Sequence, residues 1–108
     1  MNDIEYWMKK KIPETRYRAS RICRALGNPT AYEVLTLLRK EKKTPEELAS
    51  LLGLSIATIS QVLRVLRNLD LVRYEVRWRQ HIYWIKSDVV RRVMQDLEHL
   101  VDVIEKQV

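Results

Sequence analysis

The sequence predicts a mainly α-helical fold with one small β-hairpin. Along most of the 108 residues, apolar side chains recur at intervals of three and four, the period of a helix with one buried face. Capping residues and glycines divide these stretches into short helices. Between residues 72 and 85 the period changes to alternation, which is typical of two paired strands.

Composition indicates one soluble globular domain over 1–108 with a polyanionic partner. No apolar run approaches the ~18 residues that a membrane span needs, and the charged start MNDIEYWMKKK does not resemble a signal peptide. The single cysteine excludes an internal disulfide, so the expected location is the reducing cytoplasm. The net charge is +6, which favours a partner such as DNA.

The charge is unevenly distributed. Residues 55–86 hold six basic and two acidic side chains, whereas residues 87–108 hold three basic and five acidic ones. The basic segment suits a polyanion, and the acidic end of the chain must serve another purpose.

Two helices are predicted at the start of the chain, at 3–12 and at about 14–26. Cys23 lies on the apolar stripe of the second helix, so it is predicted to be a small core residue. A thiol-sensing role is left open only through pairing with a second subunit. The apolar residues are Ile4, Trp7 and Met8 in the first helix, and Ala19, Ile22, Cys23 and Leu26 in the second.

A third helix is predicted from Pro29 to about Arg39. Gly27 ends the preceding helix, Asn28 is a favourable N-cap, and proline suits the first helical position. The residues expected to face inward are Val34, Leu35, Leu37 and Leu38.

Residues 44–69 predict two further helices joined by a tight turn. Thr44 and Glu47 have the spacing of a capping box, Gly53 offers the positive φ of a helix end, and Ser55 caps the second helix. The inward residues are predicted to be Leu48, Leu51 and Leu52 in the first helix, and Ile59, Val62, Leu63, Leu66 and Leu69 in the second.

The opposite face of the second helix carries small, hydrogen-bonding and cationic side chains, as suits a helix in a DNA major groove. We therefore interpret 44–69 as a helix-turn-helix whose second helix recognises DNA. The alternative is a helix pair of an ordinary all-α protein with a merely solvated polar face. The outward residues are Ala57, Thr58, Ser60, Gln61, Arg64 and Arg67.

A β-hairpin is predicted at 71–86, directly after the recognition helix. Its expected tip spans residues 77–81 and projects two arginines and an indole. A hairpin in this position is the wing of a winged helix, and cationic wing tips contact phosphates or the minor groove. The alternative is a surface hairpin that carries charge for solubility.

The last helix is predicted at 88–107, with Ser87 as its cap. Its apolar residues repeat with heptad spacing, and a second stripe widens the seam through Val93 and Leu100. One stripe suffices for the chain's own core, so two stripes favour packing on a second copy. The heptad residues are Val90, Met94, Leu97, Val101, Ile104 and Val108.

Two segments resemble the ArsR/SmtB family of winged-helix repressors. ALGNPTAYEVLTLL at 25–38 is similar to the family's opening motif, and ELASLLGLSIATISQVLRVLRNLDLV at 47–72 is similar to its helix-turn-helix. RWRQHIY at 77–83 resembles the family's wing. The resemblance implies a homodimer built from the first and last helices, in which an effector releases DNA. It implies DNA contacts by Ser55, Ala57, Thr58, Ser60, Gln61 and Arg64 in the helix, and by Arg77, Arg79 and Gln80 in the wing.

The chain departs from the family at several positions. Val62 replaces a frequent histidine, Asp70 replaces the glycine before "LV", and Trp78 replaces the wing-tip glycine, which suggests a longer or differently shaped tip. KTPEEL replaces the thiolate motif of metal-sensing members, and only His99 with Asp102 resembles part of their last-helix zinc site. We therefore expect no metal site and no cofactor.

Taken together, these patterns predict a homodimeric, sequence-specific DNA-binding regulator of transcription, a repressor that binds an inverted-repeat operator and no membrane. The two histidines and the cysteine lie far apart, and no glycine-rich phosphate loop is present, so an enzyme is not expected. The alternative is a winged-helix module that binds proteins without specific DNA binding. The predicted dimer interface comprises Ile4, Trp7, Met8, Val90, Met94, Leu97, Val101 and Ile104.

Overall fold

A computed structural model describes residues 13–107. Within them the chain forms five helices and one antiparallel hairpin, as predicted. The predicted helix at 3–12, with Ile4, Trp7 and Met8, lies outside the described residues. The elements are α1 (Glu14–Leu26), α2 (Pro29–Lys40), α3 (Pro45–Leu52), α4 (Ile56–Asn68), β1 (Val72–Arg77), β2 (Gln80–Ile85) and α5 (Asp88–Lys106).

Local capping explains where α2, α3 and α4 begin. The Asn28 side chain accepts a hydrogen bond from the Ala31 backbone N–H at 3.0 Å. Thr44 Oγ1 accepts from the Glu47 N–H at 3.1 Å, and Glu47 Oε1 accepts from the Thr44 N–H at 2.9 Å, which completes the predicted capping box. Gly53 ends α3 with a φ of 66°, and α4 follows at a bend of 116°, the geometry of a helix-turn-helix.

The C-terminus of α4 explains the substitution at Asp70. Asp70 has a φ of 65°, so it occupies the left-handed position where the resemblance places a glycine. The Leu71 N–H donates to the Leu66 carbonyl and the Asp70 N–H to the Arg67 carbonyl, both at 2.9 Å, which is the Schellman pattern. Asp is among the few residues other than glycine that visit this region, so the turn is kept.

The core lies between α2, α3, α4 and the hairpin base. Three predicted inward positions are wrong. Leu51 is 59% exposed, because α3 is covered only on the side of Leu48 and Ala49. Ala19 and Cys23 are exposed, because α1 reaches the core only near its C-terminal end, at Ala25 and Leu26. The largest fully buried side chains are Val34, Leu35, Leu38, Leu48, Ile59, Leu63, Leu66, Val72 and Met94.

The hairpin is tighter than predicted. Its strands pair from Val72 opposite Ile85 to Arg77 opposite Gln80, so the turn contains only Trp78 and Arg79. The expectation of a five-residue or longer tip is therefore wrong. Both turn residues have positive φ, 52° and 68°, as the two-residue turn that matches strand twist requires.

The base of the hairpin is joined to the segment before α3. The Tyr83 N–H donates to the Lys43 carbonyl at 2.8 Å, and the Lys43 N–H donates to the Tyr83 carbonyl at 3.1 Å. Since Thr44 caps α3 directly afterwards, these bonds connect the hairpin to the start of the helix-turn-helix.

Helix α5 begins at its predicted cap, where Ser87 accepts a bond from the Val89 N–H at 3.2 Å. A cluster at Glu98 anchors its middle: the Tyr32 hydroxyl donates to Glu98 Oε2 at 2.5 Å, and Arg39 Nη2 donates to the same oxygen at 2.9 Å. Beyond Met94 every described residue of α5 is exposed.

No single helix among residues 13–107 is long and apolar enough to cross a membrane. Only α3 and α4 taken together meet the length and composition of a span, across their sharp bend.

Candidate nucleic-acid interface

The outer face of α4 follows from the burial of its inner face. Ile59, Leu63 and Leu66 are fully buried. Because a helix has 3.6 residues per turn, their burial determines which side chains point to solvent. All six residues predicted to face DNA are exposed: Ala57, Thr58, Ser60, Gln61, Arg64 and Arg67.

Ser55 holds the N-terminus of α4. Its Oγ accepts a hydrogen bond from the Thr58 N–H at 3.1 Å, and its O–H donates to Thr58 Oγ1 at 2.9 Å. Ser55 thus acts as a cap that shapes the first turn. The backbone N–H groups of that turn, with the positive end of the helix dipole, favour an anion there.

Arg67 differs from the other exposed residues of α4 because it contacts the wing. Its guanidinium carbon lies 5.3 Å from the ring centroid of Tyr74 on β1. Tyr74 in turn packs against the rings of His81, at 4.9 Å, and Tyr83, at 5.1 Å. This contact joins the last turn of α4 to one face of the hairpin.

The three predicted wing residues lie together at the tip. Arg77 and Gln80 form the last pair of the strands, and Arg79 occupies the turn between them. Arg77 Nε also forms an ion pair with Glu75 Oε1 at 3.0 Å. Beside them the Trp78 side chain is 96% exposed.

The acidic groups near this surface are already paired. Glu75 is bound by Arg77, and the Asp70 carboxylate accepts a hydrogen bond from Lys86 Nζ. That bond holds the pKa of Asp70 below its usual value, so the carboxylate stays ionised at neutral pH. Arg64 and Arg79 form no salt bridge within residues 13–107, which leaves both charges available to an external anion.

Two exposed apolar residues on this surface were missing from the predicted site. Ile56 follows the cap of α4 and is about half exposed, and its aliphatic side chain suits the methyl group of thymine. Trp78 lies at the wing tip. Two sequence features could have identified these residues: Ile56 directly follows the N-cap of α4, and Trp78 lies between two arginines.

Side chains suited to metal binding do not assemble in the described part of the chain: no three His, Cys, Asp or Glu residues come together there. Cys23 is exposed on α1, and His99 is exposed on α5. We assign no residue to a metal or cofactor.

A second surface is apolar and follows α5. Leu97, Val101 and Ile104 are 40–54% exposed, although their spacing matches a buried seam.

The assignment of Met94 to a subunit interface is wrong, because Met94 is fully buried in the chain's own core. Val90 is partly buried against that core. The start of the surface continues into a shallow apolar groove of about 120 Å³, lined by Ile22, Leu26, Leu71, Val89, Val90 and Val93.

Known structures share this architecture. HlyU from Vibrio cholerae matches with a TM-score of 0.75 at 26% identity, over 82% of this chain and 97% of that chain. The homodimeric winged helix-turn-helix DNA-binding domain Mb0332 from Mycobacterium bovis matches with a TM-score of 0.77 at 20% identity, over 100% and 94% of the two chains. The transcriptional repressor BigR from Xylella fastidiosa matches with a TM-score of 0.70 at 20% identity, over 93% and 96%.

The sequence itself matches a family model over residues 28–74, described as bacterial regulatory protein, arsR family. No curated protein matches the chain significantly. The matched residues run from the N-cap of α2 into β1, so they contain the whole helix-turn-helix and the start of the wing. This match and the winged helix-turn-helix fold confirm the predicted resemblance of the chain to the ArsR family of bacterial regulatory proteins.

Proposed function

We propose that this protein is a homodimeric regulator of transcription that binds specific sequences of double-stranded DNA and acts as a repressor. The observation that carries the proposal is the exposed, hydrogen-bonding and cationic face of α4 beside a cationic wing tip. Both elements are held in place, α4 by its buried inner face and the hairpin by its bonds to Lys43.

In this proposal α4 lies in the major groove and supplies base contacts. Gln61 and Arg64 lie one turn apart on its exposed face. A glutamine amide pairs with adenine and a guanidinium with guanine, each through two hydrogen bonds. Arg77, Arg79 and Gln80 at the wing tip contact the flanking phosphates, which position the protein on the duplex.

The exposed seam of α5 supports a two-fold dimer. Leu97, Val101 and Ile104 form an apolar stripe that nothing in the described chain covers, and a single helix exposing such a stripe gains stability by packing on its own copy. The similar domain Mb0332 is homodimeric. Two-fold symmetry places two recognition helices about 34 Å apart, so the operator is an inverted repeat.

Repression follows from occupancy, because a dimer bound across an operator excludes other proteins from the same DNA. The fold shared with the transcriptional repressor BigR supports repression rather than activation. The chromosome is the expected partner, which agrees with the cytoplasmic location inferred from composition.

A second candidate function is a winged-helix module that binds another protein. It is favoured by the exposed apolar side chains of Leu51, Ile56 and Val65 on the helix-turn-helix. Such a surface binds through apolar burial and responds weakly to salt, whereas phosphate contacts weaken steeply as salt rises.

Selection of bound duplexes from a pool of random DNA separates these candidates. We expect the full chain to enrich an inverted repeat whose half-sites lie about one helical turn apart. Its affinity should fall steeply as salt rises. In a plot of the logarithm of the association constant against the logarithm of the salt concentration, each phosphate contact steepens the negative slope by about 0.9. No enrichment, together with binding that is independent of salt, would reject specific DNA recognition.

A further inference from the structure

Trp78 is the most exposed large apolar side chain between residues 13 and 107. It is 96% exposed, whereas Leu51 and Val76, which follow it, are each 59% exposed. An indole offers one of the largest apolar surfaces of any side chain, and proteins normally cover most of it. Trp78 therefore contributes almost nothing to the fold.

The backbone at Trp78 is also unfavourable for tryptophan. Trp78 has a φ of 52° and Arg79 a φ of 68°, the two left-handed positions of the turn. Glycine, asparagine and aspartate suit these positions, and a bulky residue there is strained. Because this strain gives the fold no benefit, it points to a function for the exposed indole.

The surroundings of Trp78 are cationic. Arg79 adjoins it and forms no salt bridge within the described residues, and Arg77 precedes it, paired with Glu75 at 3.0 Å. This setting favours a polyanion over an apolar groove of another protein. The six residues of β1 span roughly 17 Å from Val72 to Arg77, which carries the tip away from the base of the hairpin. That distance is about half a turn of DNA, the offset from a major groove to the adjacent minor groove.

We propose that Trp78 is a wedge that inserts between two base pairs from the minor groove beside the site bound by α4. This inference rests on the proposed DNA-binding function and adds a contact to it. The indole stacks on the bases that it separates, as aromatic side chains do on single-stranded nucleic acid. Arg79 neutralises a neighbouring phosphate and holds the tip in the groove.

Insertion has a consequence for sequence preference. Apolar wedges partly unstack the base step that they enter and kink the duplex. Pyrimidine–purine steps such as TA and CA open most easily, whereas other steps resist. Trp78 thus selects a flexible step at a position that α4 does not contact.

The first test measures whether DNA covers the indole. The variant Trp7→Phe/Trp84→Phe leaves Trp78 as the only tryptophan of the full chain. Its fluorescence is quenched with acrylamide, free and bound to the duplex recovered from the random pool. We expect DNA to lower the quenching constant by about threefold or more, because a stacked ring is inaccessible to the quencher.

The second test measures the step preference. Two duplexes carry the selected half-sites and differ only in a TA or a GG step at the flanking position. The wild type should prefer the TA duplex by about fivefold, and Trp78→Asn should reduce the preference to less than about twofold. Asparagine suits the left-handed turn, so this variant keeps or raises the melting temperature. Val76→Ala removes an exposed apolar side chain of the adjoining strand β1 and is expected to retain the preference.

The outcomes separate the wedge from DNA binding itself. Specific binding in which Trp78 stays as accessible as in the free protein would overturn the wedge and leave the proposed function intact. Protection of the indole without a step preference would overturn insertion, because the ring would then lie along the groove. Absence of any specific duplex would overturn both proposals.

Discussion

The guanidinium of Arg67 lies over the ring of Tyr74, 5.3 Å from its centroid. Arg67 is in the last turn of the recognition helix and Tyr74 is on the first strand of the wing. The contact therefore joins the two elements that are proposed to bind adjacent grooves of DNA. Arg67, predicted from the sequence as a DNA contact, also contacts the wing.

This contact predicts a coupling energy that a double-mutant cycle measures. Arg67→Ala and Tyr74→Leu, alone and together, should show a coupling of about 0.5–1 kcal/mol in the free energy of unfolding, the range for exposed cation–π pairs. The free energies are measured by urea unfolding. A second cycle, with Arg64→Ala and Tyr74→Leu alone and together, is the matched control. Arg64 has no aromatic partner among the described residues, so its coupling to Tyr74 should be near zero. Equal coupling for both arginines would show that the geometry does not matter.

A second prediction concerns the dimer. Leu97→Glu combined with Val101→Glu places two charges in the exposed seam of α5, where a packed partner would leave them unpaired. The variant should sediment as a monomer at micromolar concentration, or unfold if the subunit is unstable alone. Gln95→Glu adds a charge to an exposed position of the same helix outside the heptad positions and should not change the sedimentation coefficient. A wild type that sediments as a monomer would exclude this interface.

A third prediction concerns acid stability. Two hydrogen bonds hold the pKa of Glu98 below its usual value. The bond from Tyr32 has the larger effect, and the bond from Arg39 the smaller. A carboxyl whose pKa is lower in the folded state stabilises the fold above its unfolded pKa, about 4.3, and this contribution is lost as pH falls through the folded pKa. Tyr32→Phe removes the largest cause of the shift, so its free energy of unfolding should decrease less than that of the wild type between pH 7 and pH 3.

Urea unfolding at one protein concentration and several pH values provides the measurement. Glu105→Gln removes an exposed carboxylate of α5 that has no ion pair within residues 13–107 and should follow the wild type. Parallel curves for wild type and Tyr32→Phe would contradict the role of the cluster.

At the alkaline end, burial and Glu98 raise the pKa of Tyr32 to about 12. The stability that Tyr32 contributes below its unfolded pKa should therefore be lost as pH rises toward that value.

A fourth prediction is that DNA affinity does not respond to metals. No three potential ligands come together within residues 13–107, and thiophilic ions need two or three thiolates in reach. Saturating zinc, cadmium or arsenite should change operator affinity by less than about threefold, under ~0.7 kcal/mol. The exposure of Cys23 makes Cys23→Ser the essential control, alongside His99→Ala. A tenfold loss of affinity that disappears in either variant would reveal a sensing site.

Short-range chemistry explains which parts of the fold were predictable. The starts of α3 and α4 depend on hydrogen bonds from Thr44, Glu47 and Ser55 to backbone groups within four residues. The local sequence therefore suffices to predict where these helices begin. Ala19, Cys23 and Leu51 lie on apolar stripes, so the sequence alone predicts them to be in the core. Which stripe is covered depends on elements distant in sequence, and α1 and α3 are each covered on one narrow side only.

The same distinction applies to the candidate site. The outward face of α4 follows from helical periodicity once Ile59, Leu63 and Leu66 point inward. The contact of Arg67 with Tyr74 depends on how the hairpin packs against the helix, which periodicity does not report. The tight turn at Trp78 and Arg79 was missed because neither residue is typical of a two-residue turn.

A fifth prediction separates base readout from positioning. Gln61 offers its amide to a base edge, so Gln61→Ala should relax sequence preference by about 1–3 kcal/mol at one base pair. Arg79→Ala should instead weaken binding to all duplexes alike and reduce the salt slope by about one unit. Equal loss of specificity in the two variants would contradict these roles.

The affinity ratio between the selected duplex and a scrambled duplex of equal composition distinguishes sequence-specific recognition by α4 from binding driven by charge alone. It is obtained by titrating the full-length wild type into each duplex at a fixed salt concentration near 150 mM. Sequence-specific recognition by α4 predicts that the selected duplex binds at least about a thousandfold more tightly. A ratio below about threefold, with both affinities falling equally as salt rises, would show charge-driven binding only and contradict specific recognition of DNA.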